Sequence, residues 1–171
     1  EPITLGRLCE VAGVGGRALS LGGTGVGARP DAAAPYWNPA SIAVLSHPEI
    51  LFQHSETFGS LLDHDYVGAV LPAGRIAADW AFGAQIVRLG GGGIQLTEID
   101  SVSGRPRVRE EASHSNWTFG VTAARAIGRF GAVAVTAKAL ANDIPGNSAW
   151  GLGLDVAWWK DWRFMRTGVK V

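Results

Sequence analysis

Residues 149–159, which read AWGLGLDVAWW, alternate between large apolar side chains and small or polar ones. The large apolar residues fall at every second position, at Trp150, Leu152, Leu154, Val156 and Trp158. Gly151, Gly153 and Asp155 occupy positions between them. Because successive side chains of a β-strand point to opposite faces, this period of two predicts a strand with one apolar face and one small, polar face.

The same period of two recurs through most of the chain after Pro48. It is clear in three further segments, which cover residues 79–89, 116–127 and 131–142. Weaker candidates are 49–56 and 65–72, and a seventh covers 162–171. Strands that follow one another through short connections pair antiparallel, so the sequence predicts an all-β fold of about seven antiparallel strands.

The predicted connections alternate between short and long. The short ones are residues 72–78, 128–130 and 160–161, and the longer ones are 57–64, 90–115 and 143–148. Bacterial membrane barrels have short turns on the periplasmic side and longer loops outside. We therefore expect all the longer connections, including a charged loop over 90–115, at one end of the sheet.

The spacing of two tryptophans predicts strands that cross a membrane. Trp150 and Trp158 lie eight residues apart on the apolar face, which is about 26 Å at about 3.3 Å per residue. A tilt of about 40° reduces this to about 20 Å of depth, close to the apolar band of about 25 Å in outer-membrane barrels. Only 18% of the residues are charged, and 24 are glycine and 7 tryptophan. The pattern favours an antiparallel transmembrane β-barrel, with a soluble β-sandwich as the alternative.

The number of strands suggests that the barrel is partial. Bacterial single-chain barrels have even strand counts, whereas seven is odd. Residues 168–171 also read as the middle of a strand. We therefore expect residues 48–171 to be the antiparallel strands of the N-terminal portion of a barrel, truncated before closure.

The first part of the chain contains a run rich in glycine and alanine, residues 15–43. Its Gly23-x-Gly25-x-Gly27 resembles part of a dinucleotide-binding loop, but Pro30 and Pro35 follow where that motif requires a helix. Asn38-Pro39 instead fits the start of a short helix, with Asn38 as the N-cap. We expect residues 1–47 to form a small plug-like segment with short helices inside the barrel.

Several motifs of this segment are those of a known family. They are Arg17-Ala18-Leu19, Gly22-Gly23, Asp31-Ala32 and the run from Tyr36 to Ala40. In these motifs the segment resembles the start of PorV/PorQ-type proteins and of their FadL-type relatives, which are outer-membrane β-barrels. The resemblance implies a structural role in the plug for five residues, Gly22, Gly23, Asn38, Pro39 and Ala40.

The same resemblance implies a location and a function. It places the chain in the bacterial outer membrane, in contact with outer-membrane lipid. The FadL branch moves hydrophobic small molecules through that membrane, and PorV-type members support type IX secretion of exported proteins. The alternative is a soluble or surface structural β-sheet protein with no transport role.

The remaining polar residues do not predict catalysis. The histidines lack the spacing of a metal site, and we expect no enzymatic activity, metal or cofactor. The net charge is zero, which argues against a nucleic-acid partner. Three charged residues, Lys138, Asp155 and Lys170, are expected to face the barrel lumen. An Asp–Lys pair there would either stabilise the fold or tune the lumen.

Overall fold

The computed structural model describes residues 13–57, 59, 61–100 and 104–171 of the chain. Strands make up 61% of it and helices 12%, and the strands form an antiparallel sheet that curls into a half-barrel. The all-β prediction is therefore confirmed. Residues 1–12 of the segment predicted for 1–47 lie outside the described residues. No helix in the described part is both long and apolar enough to cross a membrane.

In the described part of the chain, seven strands form one sheet in which each strand pairs with its neighbours in the sequence. This order confirms the predicted antiparallel arrangement. The strands are β1 (Glu49–Thr57), β2 (Leu62–Leu71), β3 (Trp80–Ile99), β4 (Pro106–Ala126), β5 (Ala132–Ile144), β6 (Asn147–Asp161) and β7 (Arg166–Lys170).

The predicted loop over 90–115 is wrong, because most of this region is strand. β3 continues to Ile99 and β4 begins at Pro106, so the two strands extend as a hairpin beyond β2 and β5. Register shifts after Gly91 and after Leu96 accommodate irregular pairing. Hydrophobic periodicity gives no signal here because polar residues occupy both faces, while cross-strand pairs such as Glu98 with Arg107 support the pairing.

The expected alternation of long and short connections is also wrong. The β5–β6 turn contains only Pro145 and Gly146, whereas the β2–β3 connection runs through residues 72–79. Gly146 has a φ of 83°, which suits the tight turn. The two ends of the sheet still differ. We call the end with the β2–β3, β4–β5 and β6–β7 connections the turn end, and the opposite end the hairpin end.

Short helices precede the sheet, as predicted. They are α1 (Gly16–Ser20), α2 (Ala34–Trp37) and a 3₁₀ helix (Pro39–Val44). Asn38 caps the 3₁₀ helix, because its side-chain Oδ1 accepts a hydrogen bond from the Ala40 N–H at 3.1 Å. The Asp31 carboxylate accepts one from the Ala33 N–H at 2.9 Å, just before α2.

These helices pack on one face of the sheet, which we call the covered face. At the turn end, Ile42 of the 3₁₀ helix is fully buried in a cluster that includes the small strand residues Ala124 and Ala132. A second cluster joins Tyr36 of α2 to the fully buried Tyr66 of β2. Small strand residues allow the helices to approach closely, so the core lies between the N-terminal segment and the sheet.

Candidate functional site

The face of the sheet opposite the helices is apolar and exposed. Trp150 is 79% exposed, Leu152 78% and Leu154 67%. The same face continues on the other strands, because directly paired residues of an antiparallel sheet share a face. We call it the open face, and its large apolar residues are Ile50, Phe52, Val67, Leu71, Trp80, Phe82, Ile86, Trp117, Phe119, Val121, Val133, Val135, Trp150, Leu152, Leu154, Val156, Trp158 and Val169.

This distribution differs from that in a soluble sheet, because apolar side chains occupy the exposed face as well as the buried one. A water-exposed sheet normally turns its polar face outward and buries its apolar face. Here Thr122 and Thr136 are buried on the covered face, where their hydroxyls hydrogen-bond at 2.7 Å, while Val121 is 65% exposed. A contiguous apolar surface of this extent marks a site of contact with lipid or with another protein.

Aromatic and arginine side chains mark both limits of the apolar surface. Near the hairpin end, one row of paired positions across β3 to β6 contains Arg88, Trp117, Ala141 and Trp150. Near the turn end, a second row contains Trp80, Arg125, Val133 and Trp158. We call these the hairpin-end row and the turn-end row. On β3, β4 and β6 the two rows are eight residues apart. The strand register therefore places the tryptophan or arginine positions of these three strands beside one another in both rows.

Each row contains an arginine stacked against a tryptophan of the neighbouring strand. The Arg88 guanidinium carbon lies 5.7 Å from the centre of the Trp117 ring, and that of Arg125 lies 5.8 Å from Trp80. Each arginine also pairs with a carboxylate at 2.8 Å, Arg88 with Asp65 and Arg125 with Asp79. The charged groups on the open face of β3 and β4 therefore lie at or beyond the rows and not between them.

The histidines do not form a metal site. His54 lies on the open face beside the hairpin-end row, and its Nδ1 is 2.7 Å from an Asp65 carboxylate oxygen. Its Nε2 is 3.3 Å from Glu56. Within the described residues no cluster of three or more histidine, cysteine or acidic side chains could hold a metal ion.

The predicted motif residues Asn38, Pro39 and Ala40 are buried between the helices and the sheet. Asn38 is 1% exposed, and its amide Nδ2 donates to the carbonyls of Val26 and Trp158, both at 3.0 Å. It therefore joins three parts of the chain. Gly22 and Gly23, the other two motif residues, do not lie at this contact.

Gly22 and Gly23 lie instead in the turn that follows α1. Their φ values are 73° and 78°, which L side chains rarely adopt. Their N–H groups donate to the carbonyls of Leu19 and Ala18, and so close the end of the helix. The five motif residues therefore have two separate roles. Gly22 and Gly23 end α1, and the buried residues 38–40 connect the N-terminal segment to the sheet.

The three charged residues predicted to face the lumen come together on the covered face. The Lys138 ammonium is 2.7 Å from the Asp155 carboxylate, and that of Lys170 is 3.3 Å from it. Their side chains are only 10% to 15% exposed. Lys170 also donates to the Tyr36 carbonyl at 2.8 Å, which connects the cluster to α2. The cluster therefore joins three strands and the N-terminal segment.

Sequence reasoning missed the arginine–tryptophan pairs of the two rows. Their signal was present, because Trp80 and Arg88, and also Trp117 and Arg125, repeat the eight-residue spacing found on β6. Only the register shows that these residues lie beside one another in the sheet.

Comparisons with protein-family models, with curated proteins and with solved structures found no match to this chain.

Proposed function

We propose that the chain forms part of the wall of a bacterial outer-membrane β-barrel of the PorV/PorQ–FadL type. Its role is to support transport of hydrophobic molecules or secretion of proteins across that membrane, without catalysis. The observation that carries this proposal is the exposed apolar open face, bounded by two aligned rows of tryptophan and arginine. Outer-membrane barrels carry an apolar band between two aromatic girdles.

The dimensions of the open face fit a bilayer. Eight residues of strand separate the rows, about 26 Å at about 3.3 Å per residue. With a strand tilt of about 40° the rows lie about 20 Å apart in depth, near the apolar band of about 25 Å. Tryptophan prefers the water interface, and arginine costs little there, so both suit the rows.

The N-terminal segment has the contacts expected of a plug. It lies against the covered face, where Asn38, Lys170 and Tyr66 connect it to β6, β7 and β2 through hydrogen bonds. Barrel proteins combine an apolar exterior with an interior that carries polar side chains. Here buried threonines and the Lys138–Asp155–Lys170 cluster lie on the covered face, beside its apolar contacts with the segment. Under this proposal Lys138, Asp155 and Lys170 line the lumen and hold the plug in place.

A closed barrel requires further strands. A membrane-spanning sheet must satisfy every backbone group internally, which leaves no free edge in lipid. Strands must therefore pair with the outer edges of β1 and β7, which are the edge strands of this sheet.

Cell fractionation tests this proposal. The protein should be recovered with the outer membrane and should require detergent for extraction. Recovery in the soluble periplasm would overturn it, and would favour a soluble or surface structural sheet in which another protein covers the open face.

A deletion strain distinguishes the two roles. Slower uptake of a labelled hydrophobic compound would indicate transport. Retention of exported proteins in the periplasm, with unchanged uptake, would indicate support of secretion.

A further inference from the structure

A wide cleft opens at the turn end of the sheet, between the N-terminal segment and the β6–β7 turn. Its volume is about 710 Å³. Four arginines line it, Arg17 and Arg29 from the N-terminal segment and Arg163 and Arg166 from the turn and β7. Since the chain as a whole has no net charge, this concentration of guanidinium groups is a local feature.

Two of the four arginines are neutralised by carboxylates. Arg17 lies 3.1 Å from Asp31, and Arg166 lies 2.9 Å from Asp161. The Arg163 backbone N–H and the Arg166 guanidinium both bond to Asp161 and lower the pKa of that carboxyl group. Asp161 therefore stays ionised at neutral pH, and its charge is already engaged.

The other two arginines, Arg29 and Arg163, have no carboxylate partner among the described residues. Within the part of the chain that the structure describes, neither the Arg29 nor the Arg163 side chain has an ion-pair or hydrogen-bond partner. Both line the cleft, Arg29 as part of the N-terminal segment and Arg163 as part of the β6–β7 turn. Among the described residues, the cleft thus carries an excess of about two positive charges once the Asp31 and Asp161 carboxylates are counted.

The backbones of the two walls lie in close contact. The Arg17 guanidinium donates to the Arg29 carbonyl, which orders the N-terminal wall. Gly27 lies so close to β7 that a Cβ there would be 3.1 Å from the Arg166 carbonyl oxygen. These contacts keep the backbones of the two walls close together, so binding would have to order only the side chains of Arg29 and Arg163.

The geometry points to a binding site for a phosphoryl group in this cleft, held between Arg29 and Arg163. A phosphate monoester carries a charge of about −1.5 to −2 at pH 7, which matches the two unengaged guanidinium groups. Guanidinium groups bind phosphate oxygens through paired hydrogen bonds. Leu21 and Phe164 also line the cleft, and Phe164 is 84% exposed, so an apolar part of the ligand has a surface to contact.

The phosphoryl group has two possible sources. The cleft lies at the turn end, on the strand connection that follows Trp158 and the turn-end row. A lipid headgroup could therefore enter it from the membrane surface, and a water-soluble phosphorylated molecule could enter from the aqueous side. The site goes beyond the proposed function, and its charge does not depend on whether the open face contacts lipid.

Titration of the full chain in a neutral detergent tests the site. Inorganic phosphate is the probe in one arm, followed by calorimetry, and phosphatidic acid in mixed micelles is the probe in the other. The variants are Arg29→Gln and Arg163→Gln. Arg75→Gln is the matched control, because Arg75 is an exposed arginine in the β2–β3 connection at the same end of the sheet.

The site is supported if either probe binds saturably and its affinity falls about tenfold in each cleft variant. The affinity of the Arg75 variant should stay unchanged. Binding of phosphatidic acid alone identifies a lipid source, and binding of inorganic phosphate identifies a soluble one. Absence of saturable binding in both arms would overturn the site. So would an equal loss in the Arg75 variant, because that would show general charge attraction.

Discussion

Gly68 of β2 permits the closest approach between the N-terminal segment and the sheet. A Cβ at this position would collide with the Ala32 carbonyl oxygen and with the Tyr66 ring. That carbonyl accepts a hydrogen bond from the buried Tyr66 hydroxyl at 2.8 Å. The absence of a side chain at Gly68 therefore allows one of the contacts that fix the segment on the covered face.

Replacing Gly68 with alanine should destabilise the fold by about 1–3 kcal/mol, because backbone must move to admit the methyl group. Gly153→Ala is the matched control. Gly153 lies on the covered face of β6, where a Cβ would make ordinary contacts at 3.7 Å. Gly153→Ala should change the free energy of unfolding by no more than about 0.5 kcal/mol. Urea unfolding in detergent micelles measures both, and equal stability of the two variants would contradict the close approach.

Asp155 balances two lysines that have little contact with solvent. Lys138 and Lys170 both lie within 3.3 Å of its carboxylate. Asp155→Asn leaves their charges without this partner and should reduce the free energy of unfolding by about 3 kcal/mol. Asp143→Asn, at an exposed position of β5, is the control and should have little effect. If Asp155→Asn left the free energy of unfolding unchanged, the cluster would contribute nothing to stability.

The sequence predicts the direction of these side chains but not their contacts. Alternation along β5 and β6 puts Lys138 and Asp155 on the face opposite the large apolar residues. Their separation depends on the β5–β6 register, in which Lys138 pairs with Gly153. The contact of Lys170 with Tyr36 joins residues far apart in the chain, and no local pattern encodes it.

At the level of elements, apolar periodicity locates strands only where one face is uniformly apolar. It finds the body of β4 from Asn116 onward, where alternation is regular. It misses the start of β4 and the end of β3, because charged residues occupy both faces of that hairpin. The same contrast predicts that β4 passes from a polar environment into an apolar one along its length.

Two valines of β4 test that change of environment. Val121 lies midway between Trp117 and Arg125, and Val108 lies in the extended hairpin, and both are at least half exposed. Val121→Arg should cost about 2–4 kcal/mol if it faces the middle of a bilayer. Val108→Arg should be nearly neutral. Unfolding in phospholipid vesicles compares them, and a tolerated Val121→Arg would contradict a lipid-facing surface.

At the level of the whole molecule, the sheet has opposite environments on its two faces. The covered face holds buried threonines and the Lys138–Asp155–Lys170 cluster, whereas the open face exposes its apolar side chains to the surroundings. Sequence alternation predicts this division of residues. The expectation of a plug inside the barrel implies that the N-terminal segment lies on the small, polar face, but the contacts that hold it there, such as Asn38 with Trp158, join residues far apart in the chain and have no local signal.

We propose that lipid contacts the open face between the two rows. Spin labels at single cysteines along β6, in a Cys9→Ser background and in phospholipid vesicles, test this contact. Collisions with oxygen should peak at Leu154 and fall toward Trp150 and Trp158, and collisions with a water-soluble nickel chelate should show the reverse. Labels at Gly151 and Gly153 should lack the oxygen maximum. Frequent nickel collisions throughout 152–156 would show instead that water, and not lipid, covers this face.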